Sequence, residues 1–280
     1  MLSLGVDLSE RPFRAAVVDL DEGGGIVAQG SGGDAAEAVR IATQQHKPDV
    51  AGVAILDGGD TPVLPGVARV TRCAPGAAAI TAEAWLGAAR GARHAICLHI
   101  GDEVFAGVLL DGRPWPGAHN RAGAAAWLAI NPVERQDYRR EGSLAAEVSS
   151  KGIARRLSWR IQAGDRSRVL EQAGGSLDAI TGRHVFDGAR GGDGVAISVI
   201  RDTAKYIGMA VATLAATLDP EVVVVSGSVA AADLMLEPVR LECSRRLSAD
   251  AMTELRVEFS SLGADAIAIG AARLALAPPA

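Results

Sequence analysis

Apolar residues gather in short blocks along the first part of the chain. Leu2 to Leu8, Arg14 to Leu20 and Ile26 to Gly30 read as strands, separated by the turn Ser9-Glu10-Arg11-Pro12 and by Asp21-Glu-Gly-Gly-Gly25. This predicts an opening meander. Asp34 can cap a helix running to about Gln45, which His46-Lys-Pro-Asp49 ends before an apolar strand from Val50 to Leu56. A loop rich in Gly, Asp and Pro follows.

The opening pattern returns 92 residues later. Ala95 to Ile100 and Val104 to Leu110 form a second strand-turn-strand unit, and aligning Phe13 with Phe105 puts Leu8 on Ile100, Glu10 on Asp102 and Asp19 on Asp111. Recurrence at that distance, once at the start of each expected lobe, points to a duplicated α/β domain rather than a short-period repeat. From Asp193 the period changes: Ile200, Ala204, Ile207, Val211, Leu214 and Leu218 step by four and three along one helical face. Asp219-Pro220 stops that helix. Glu221 to Val225 then reads as a buried parallel strand closing on Ser226-Gly227-Ser228. A helix around Leu234 to Arg246, a strand near Leu255 to Phe259 and a small-residue helix in "LGADAIAIGAARLAL" complete the chain.

Composition narrows the function classes. At 280 residues, 49% hydrophobic and 22% charged, the chain can bury one large core or two modest ones. A net charge of -5 gives no general reason to expect nucleic-acid or anionic-membrane binding. Aromatics are only 4%, so Val, Leu, Ile and Ala must fill the core, with helices approaching closely through Ala and Gly. Cys73, Cys97 and Cys243 are isolated and without paired spacing, which indicates neither a zinc knuckle nor a disulfide framework and fits a reducing, cytoplasmic setting. No apolar run approaches the ~20 residues that span a bilayer. The five histidines are scattered; His99 stands out because the repeat aligns it with Asp7.

"VFAGVLLDGRPWPGAHNRAGAAAWL", "DPEVVVVSGSVA" and "LGADAIAIGAARLA", in that order and spacing, resemble the ROK (repressor, ORF, kinase) family of sugar kinases and repressors, over about Gly5 to Leu274. The resemblance implies an α/β, two-lobed actin-like ATPase (sugar kinase) fold, with duplicated ribonuclease H-like domains around a central cleft for nucleotide and sugar. The expected lobes are 1–94 plus 262–280 and 95–261. Family members commonly form dimers or tetramers, so a homodimer or homotetramer is expected, with apolar surface around Trp115, Trp127 and the 204–218 helix available for it.

Several motif positions depart from the family. Asp7 stands where an Asp assists the metal-nucleotide, but the following Gly-Gly-Thr is here Ser9, Glu10 and Arg11, with Pro12 next. That removes flexibility and one N–H donor. Arg11 is either a phosphate-binding guanidinium or a solvated turn residue. The second phosphate loop, Gly-Thr-Gly in the family, is Gly101-Asp102-Glu103; its carboxylates either ligate a cation or form a polar hairpin turn. The family's catalytic base, the Asp of Asn-Asp-Ala-Asn, falls on Pro75, which cannot accept a proton. The Glu and His of the sugar motif fall on Ala124 and Trp127, and the cysteine-cluster position before Leu144 is Ser143, so no zinc is expected. Trp127 can stack on a ligand or serve as a buried or interface aromatic. Between Asp57 and Val70 the chain is shorter than the family pattern.

Two readings follow. In the first, the chain keeps the fold, has lost ordinary sugar phosphorylation, and acts as a ligand-binding, regulatory or assembly subunit. In the second it is an ATP-dependent kinase for an unusual sugar, glucokinase-like or N-acetylhexosamine kinase-like, with Asp7 helped by a relocated acid at Asp57, Asp60 or Asp102. Candidate nucleotide contacts are Asp7, Arg11, Gly101 and Gly227, and candidate sugar contacts His119, Asn120 and Trp127. Mg-ATP is the cofactor if nucleotide binding survives, with Asp7 the magnesium candidate. Direct DNA reading is not expected, because the chain enters its first strand at residue 2, and "KGIARRLSWR" (Lys151 to Arg160) reads as a solvated helix face or a basic patch.

Overall fold

A computed structural model describes residues 1–21, 24–56 and 59–276. The meander forms as β1 (Leu2–Asp7), β2 (Phe13–Asp19) and β3 (Ile26–Gly32), followed by α1 (Ala35–Ala42), β4 (Val50–Ala54), β5 (Arg69–Cys73) and α2 (Pro75–Trp85). The second strand-turn-strand unit is β6 (Ala95–Ile100) and β7 (Val104–Leu110), extended by β8 (Arg113–Pro114). A helical stretch follows: α3 (Gln136–Glu141), α4 (Ser143–Val148), α5 (Ser150–Gln162), α6 (Val169–Gln172), α7 (Gly182–Arg190) and α8 (Gly194–Leu218). The chain ends with β9 (Val222–Ser226), α9 (Ala232–Ser244), α10 (Ala249–Glu254), β10 (Arg256–Phe259) and α11 (Ala266–Leu274).

The two sheets share one plan. The first is ordered β3-β2-β1-β4-β5 and the second, from its other edge, β8-β7-β6-β9-β10. In the first, β1 pairs antiparallel with β2 and parallel with β4; in the second, β7 pairs antiparallel with β8, and β10 parallel with β9. The same strand order in two halves is the duplication that the 92-residue offset announced.

By internal contacts the chain divides into two units, Met1–His99 with Phe105–Gly123 and Ser260–Ala280, and Ile100–Val104 with Ala124–Phe259. In the first unit β2 faces two cores. Ala15 and Val17 pack with Leu4, Val6, Val53 and Ala38 of α1, while Ala16 and Val18 pack with Ala82 of α2 and Ile269 of α11. Backbones meet where side chains vanish: a Cβ on Gly5 would lie 1.7 Å from the Ala268 carbonyl oxygen, and one on Gly270 1.8 Å from that of Ala78. With so few aromatic residues, α2, α11 and β1 gain their contact by this close approach.

Helix ends follow the chemistry of their caps. Asp34 accepts from Glu37 N at 2.8 Å and starts α1, which stops at Ala42, short of the expected Gln45. Asp193 caps α8, and Asp219, at φ 47°, ends it before Pro220. The apolar stripe of α8 at Ile200, Ala204, Ile207 and Val211 is buried, so that stretch is core of its unit. Every residue of β9 is buried, as its unbroken apolar run requires.

Candidate functional site

In the first unit Asp7, Glu10 and His99 stand together at the carboxyl end of β1. Asp7 closes that strand and is 5% exposed. Ser9 donates to its Oδ1 twice, from the backbone N–H at 2.9 Å and from Oγ at 2.6 Å, so the turn folds back on the carboxylate it follows. Oδ2 accepts no hydrogen bond among the described residues. Burial pushes the Asp7 carboxyl above its usual range, against the lowering pull of the two Ser9 donors. The neighbouring Cys73 thiol is pushed up to about 12 by burial and by the Asp7 charge.

Beside Asp7 stands a pair that sequence reading did not join. His99 Nε2 lies 3.1 Å from Glu10 Oε1, and its ring stacks on Phe105 with centroids 4.6 Å apart and planes 9° apart. The signal was present in the repeat, which set His99 on Asp7, but pairing with Glu10 depends on the packing of strands 89 residues apart. Arg11 is committed to its own turn: Nη1 donates to Gly33 O at 2.5 Å and the guanidinium lies over Phe13. Of the two alternatives for Arg11, this geometry suits the turn residue.

Pro75 is the first residue of α2, where its fixed φ suits the helix start and its missing N–H costs nothing. The preceding Ala74 offers no side-chain cap, and a Cβ on Gly76 would fall 2.2 Å from Ala106 O, so this turn is pressed on β7. No side chain from residues 74 to 77 can take a proton. Asp60 is exposed in the loop before β5, and Asp57 lies outside the described residues. His119 and Asn120 are exposed in a turn with Gly117 at φ 76° and Asn120 at φ 55°.

The second unit brings Gly101 and Gly227 together around Ile100. Gly101 is buried at the end of β6, and its N–H bonds Glu103 O at 2.9 Å, closing a turn that leaves Asp102 and Glu103 exposed. Ser150 N, at the start of α5, donates to Gly101 O at 2.9 Å. Gly227 follows β9 at φ 98°, and a Cβ there would lie 2.3 Å from Ile100 O, so packing and backbone conformation already require this glycine without a nucleotide. Trp127 is 58% exposed at the end of the short 3₁₀ turn Ala125–Trp127, hence a surface aromatic rather than a buried one.

Near the Ser143 position, sequence reading missed a charge network. Glu147, 1% exposed, accepts from Arg135 Nη1 at 2.7 Å and from the Tyr138 hydroxyl, and Arg156 Nε stands 3.6 Å from it. Asp137 pairs with both Arg135 and Arg155, and Arg156 donates to Thr203 Oγ1. The available clue was a glutamate inside the apolar block Leu144 to Val148. Among the described residues no group of three or more His, Cys, Asp or Glu is placed to hold a metal ion, and no helix is long and apolar enough to cross a membrane.

Known proteins agree with this architecture. A solved ROK glucokinase from Streptomyces griseus, in complex with glucose and AMPPNP, superposes with TM-score 0.83 at 24% identity, covering 98% of this chain and 99% of that one. A ROK family transcriptional regulator, described as a homolog of the E. coli MLC protein, gives TM-score 0.76 at 20% identity over 97% of this chain and 76% of that one. In sequence, a glucokinase of Halalkalibacterium halodurans is 28% identical over 196 residues, 67% of this chain and 58% of the relative. The bifunctional enzyme NanE/NanK of Brucella melitensis biotype 1 is 33% identical over 198 residues, 69% of this chain and 33% of the relative. The chain thus spans less than two thirds of the length of these curated relatives. The profile of the ROK family matches residues 74–277, from α2 to the closing helix α11, and the chain belongs to that family.

Proposed function

We propose that this ROK-family chain binds a sugar-like ligand and has lost phosphoryl transfer to it. The observation that carries this reading is Pro75 at the start of α2, in the position that the family resemblance gives to the base. A positioned general base is worth ~10²–10⁴ in rate, and residues 74 to 77 supply no substitute. The surroundings of the nucleotide candidates support the same reading. Glu10, Asp102 and Glu103 stand where phosphate-binding loops are expected, and two like charges 4 Å apart repel by about 4 kcal/mol at an effective dielectric near 20. Arg11 is held by Gly33 and Phe13. These residues do not suit a triphosphate. Sugar as the ligand class is supported by the relatives named glucokinase and by the glucose bound to the Streptomyces griseus enzyme; His119, Asn120 and Trp127 are the proposed contacts, all exposed. The duplicated lobes are proposed as 1–94 with 262–280 and 95–261, and the unit as a cytoplasmic homo-oligomer.

One observation favours a second reading, an ATP-dependent kinase for an unusual sugar. Asp7 is retained, and burial raises its pKa, which makes its carboxylate a stronger proton acceptor than an exposed one. A coupled assay of ADP release with Mg-ATP over a panel of hexoses and N-acetylhexosamines separates the two. The first reading expects sugar-dependent melting shifts and no sugar-dependent ADP release. Turnover that disappears in Asp7→Asn and survives in Asp102→Asn replaces it with the second.

A further inference from the structure

A cavity of about 500 Å³ opens within the second unit, between the end of α5, α6 with the turn before it, and the start of α8. Pockets for small ligands run from roughly 300 to 1,000 Å³, so this one admits a small molecule. None of its lining residues is a nucleotide or sugar candidate. Its wall is fastened from within: Asp193, 5% exposed, accepts from Ser167 Oγ at 3.1 Å, Arg168 N at 2.8 Å and Ala196 N at 2.9 Å. Arg160 Nε holds Asp165, and Arg168 Nη2 donates to Gly191 O at 2.8 Å. Ile161 and Leu170 add half-buried apolar surface. A Cβ on Gly192 or Gly194 would meet nothing within 4 Å, so the lining is open there.

Two charged groups of this lining are unspent. Arg166 and Glu171 are exposed, and neither side chain has a hydrogen bond or an ion pair among the described residues, not even with the other. Their opposite signs set the charge pattern of a ligand. A phosphate gains Arg166 but faces Glu171 and Asp165; a simple amine gains Glu171 but faces Arg166. A zwitterion satisfies both. A guanidinium takes a carboxylate bidentately, a carboxylate accepts from an ammonium, and such charge-assisted bonds are roughly twice as strong as neutral ones.

We propose that this cavity binds a free α-amino acid with an apolar side chain: Arg166 receives the carboxylate, Glu171 the ammonium, and Ile161 with Leu170 the side chain. The site is separate from the sugar contacts, and neither reading depends on the other.

Melting-temperature titrations of the full chain near neutral pH with L-leucine, L-leucinamide and N-acetyl-L-leucine test it. L-leucine is expected to raise the melting temperature and to bind about tenfold tighter than the amide, which lacks the carboxylate, or the acetylated form, which lacks the ammonium. Arg166→Ala should abolish the preference over the amide, and Glu171→Gln the preference over the acetylated form. Both side chains are exposed and unpaired, so without ligand both variants should melt within about 2 °C of the parent. No shift with L-leucine, equal affinity for all three compounds, or preferences untouched in both variants overturns the proposal and leaves the sugar reading as it stands. A shift with inorganic phosphate and none with L-leucine also overturns it, in favour of a plain anion site.

Discussion

Replacing Glu147 by Ala tests whether the charge network in the second unit holds its fold. The carboxylate is 1% exposed and faces Arg135, Tyr138 and Arg156. Without it Arg156, whose guanidinium burial already disfavours the charged form, keeps its Thr203 hydroxyl bond and its place over the Tyr206 ring but no carboxylate at ion-pair distance among the described residues. Removing one partner of a buried pair costs about 3–5 kcal/mol, because the other charge is left uncompensated. Arg135 has more than a quarter of its side chain exposed and retains Asp137, so its share is discounted, and the low end, about 3 kcal/mol, is expected. At about 2–4 °C per kcal/mol for a chain of this size, the melting temperature should fall by roughly 6 °C or more. Glu147→Gln keeps an acceptor for Tyr138 and should lose less. The double change Glu147→Leu with Arg156→Met removes both charges and should recover much of the loss, since apolar replacements of buried pairs are often neutral or better. Urea unfolding followed by circular dichroism gives the numbers. A Glu147→Ala midpoint within about 0.5 kcal/mol of the parent, the range of ordinary surface changes, would refute the reasoning.

Other expectations follow from single sites. Burial pushes the Glu83 carboxyl, 0% exposed, above its ordinary 4.5 despite hydrogen bonds from Ser260 Oγ and Ala88 N. Its charge therefore subtracts stability as pH rises from 4.5 through the folded value. Glu83→Gln should match the parent near pH 4 and gain on it towards pH 7.5 in thermal melts; a gap that narrows with pH contradicts this. Asp193 goes the other way. Burial raises it, but Ala196 N–H, Arg168 N–H and the Ser167 hydroxyl outweigh that and hold the carboxyl below 3.8. Its contribution is present above 3.8 and lost as pH falls through the folded value, so Asp193→Ala should cost about 2 kcal/mol at pH 7 and much less in acid. The thiols should be inert: Cys97 and Cys243 are buried, and Cys73 and Cys243 are pushed up to about 12 and about 11 by desolvation first. A disulfide exchange reagent at pH 8 should modify none in native protein, and rapid labelling of Cys73 would show that its surroundings are open.

Periodicity was legible wherever a residue's fate depends on one buried face. The meander, the core stripe of α8 and the unbroken apolar run of β9 were all visible that way, and so was the duplication, since two copies of one strand-turn-strand pattern differ by a fixed offset. Short elements were not. The edge strand β5, whose residues are mostly exposed, and the brief helices α3, α4 and α6 carry too few periods to stand out from their loops.

The site divides along the same line. By itself the sequence determined which residue types stand at the motif positions, and so that Pro75 can accept no proton and that Asp7 is kept while its glycines are gone. Tertiary structure alone decided what those residues meet. Glu10 reaching His99, Arg11 consumed by Gly33, and Glu147 gathering Arg135 and Arg156 are contacts between positions well apart in sequence. Local propensity carries no information about such partners, because each depends on how strands and helices pack, and packing is fixed by the whole core rather than by any one segment.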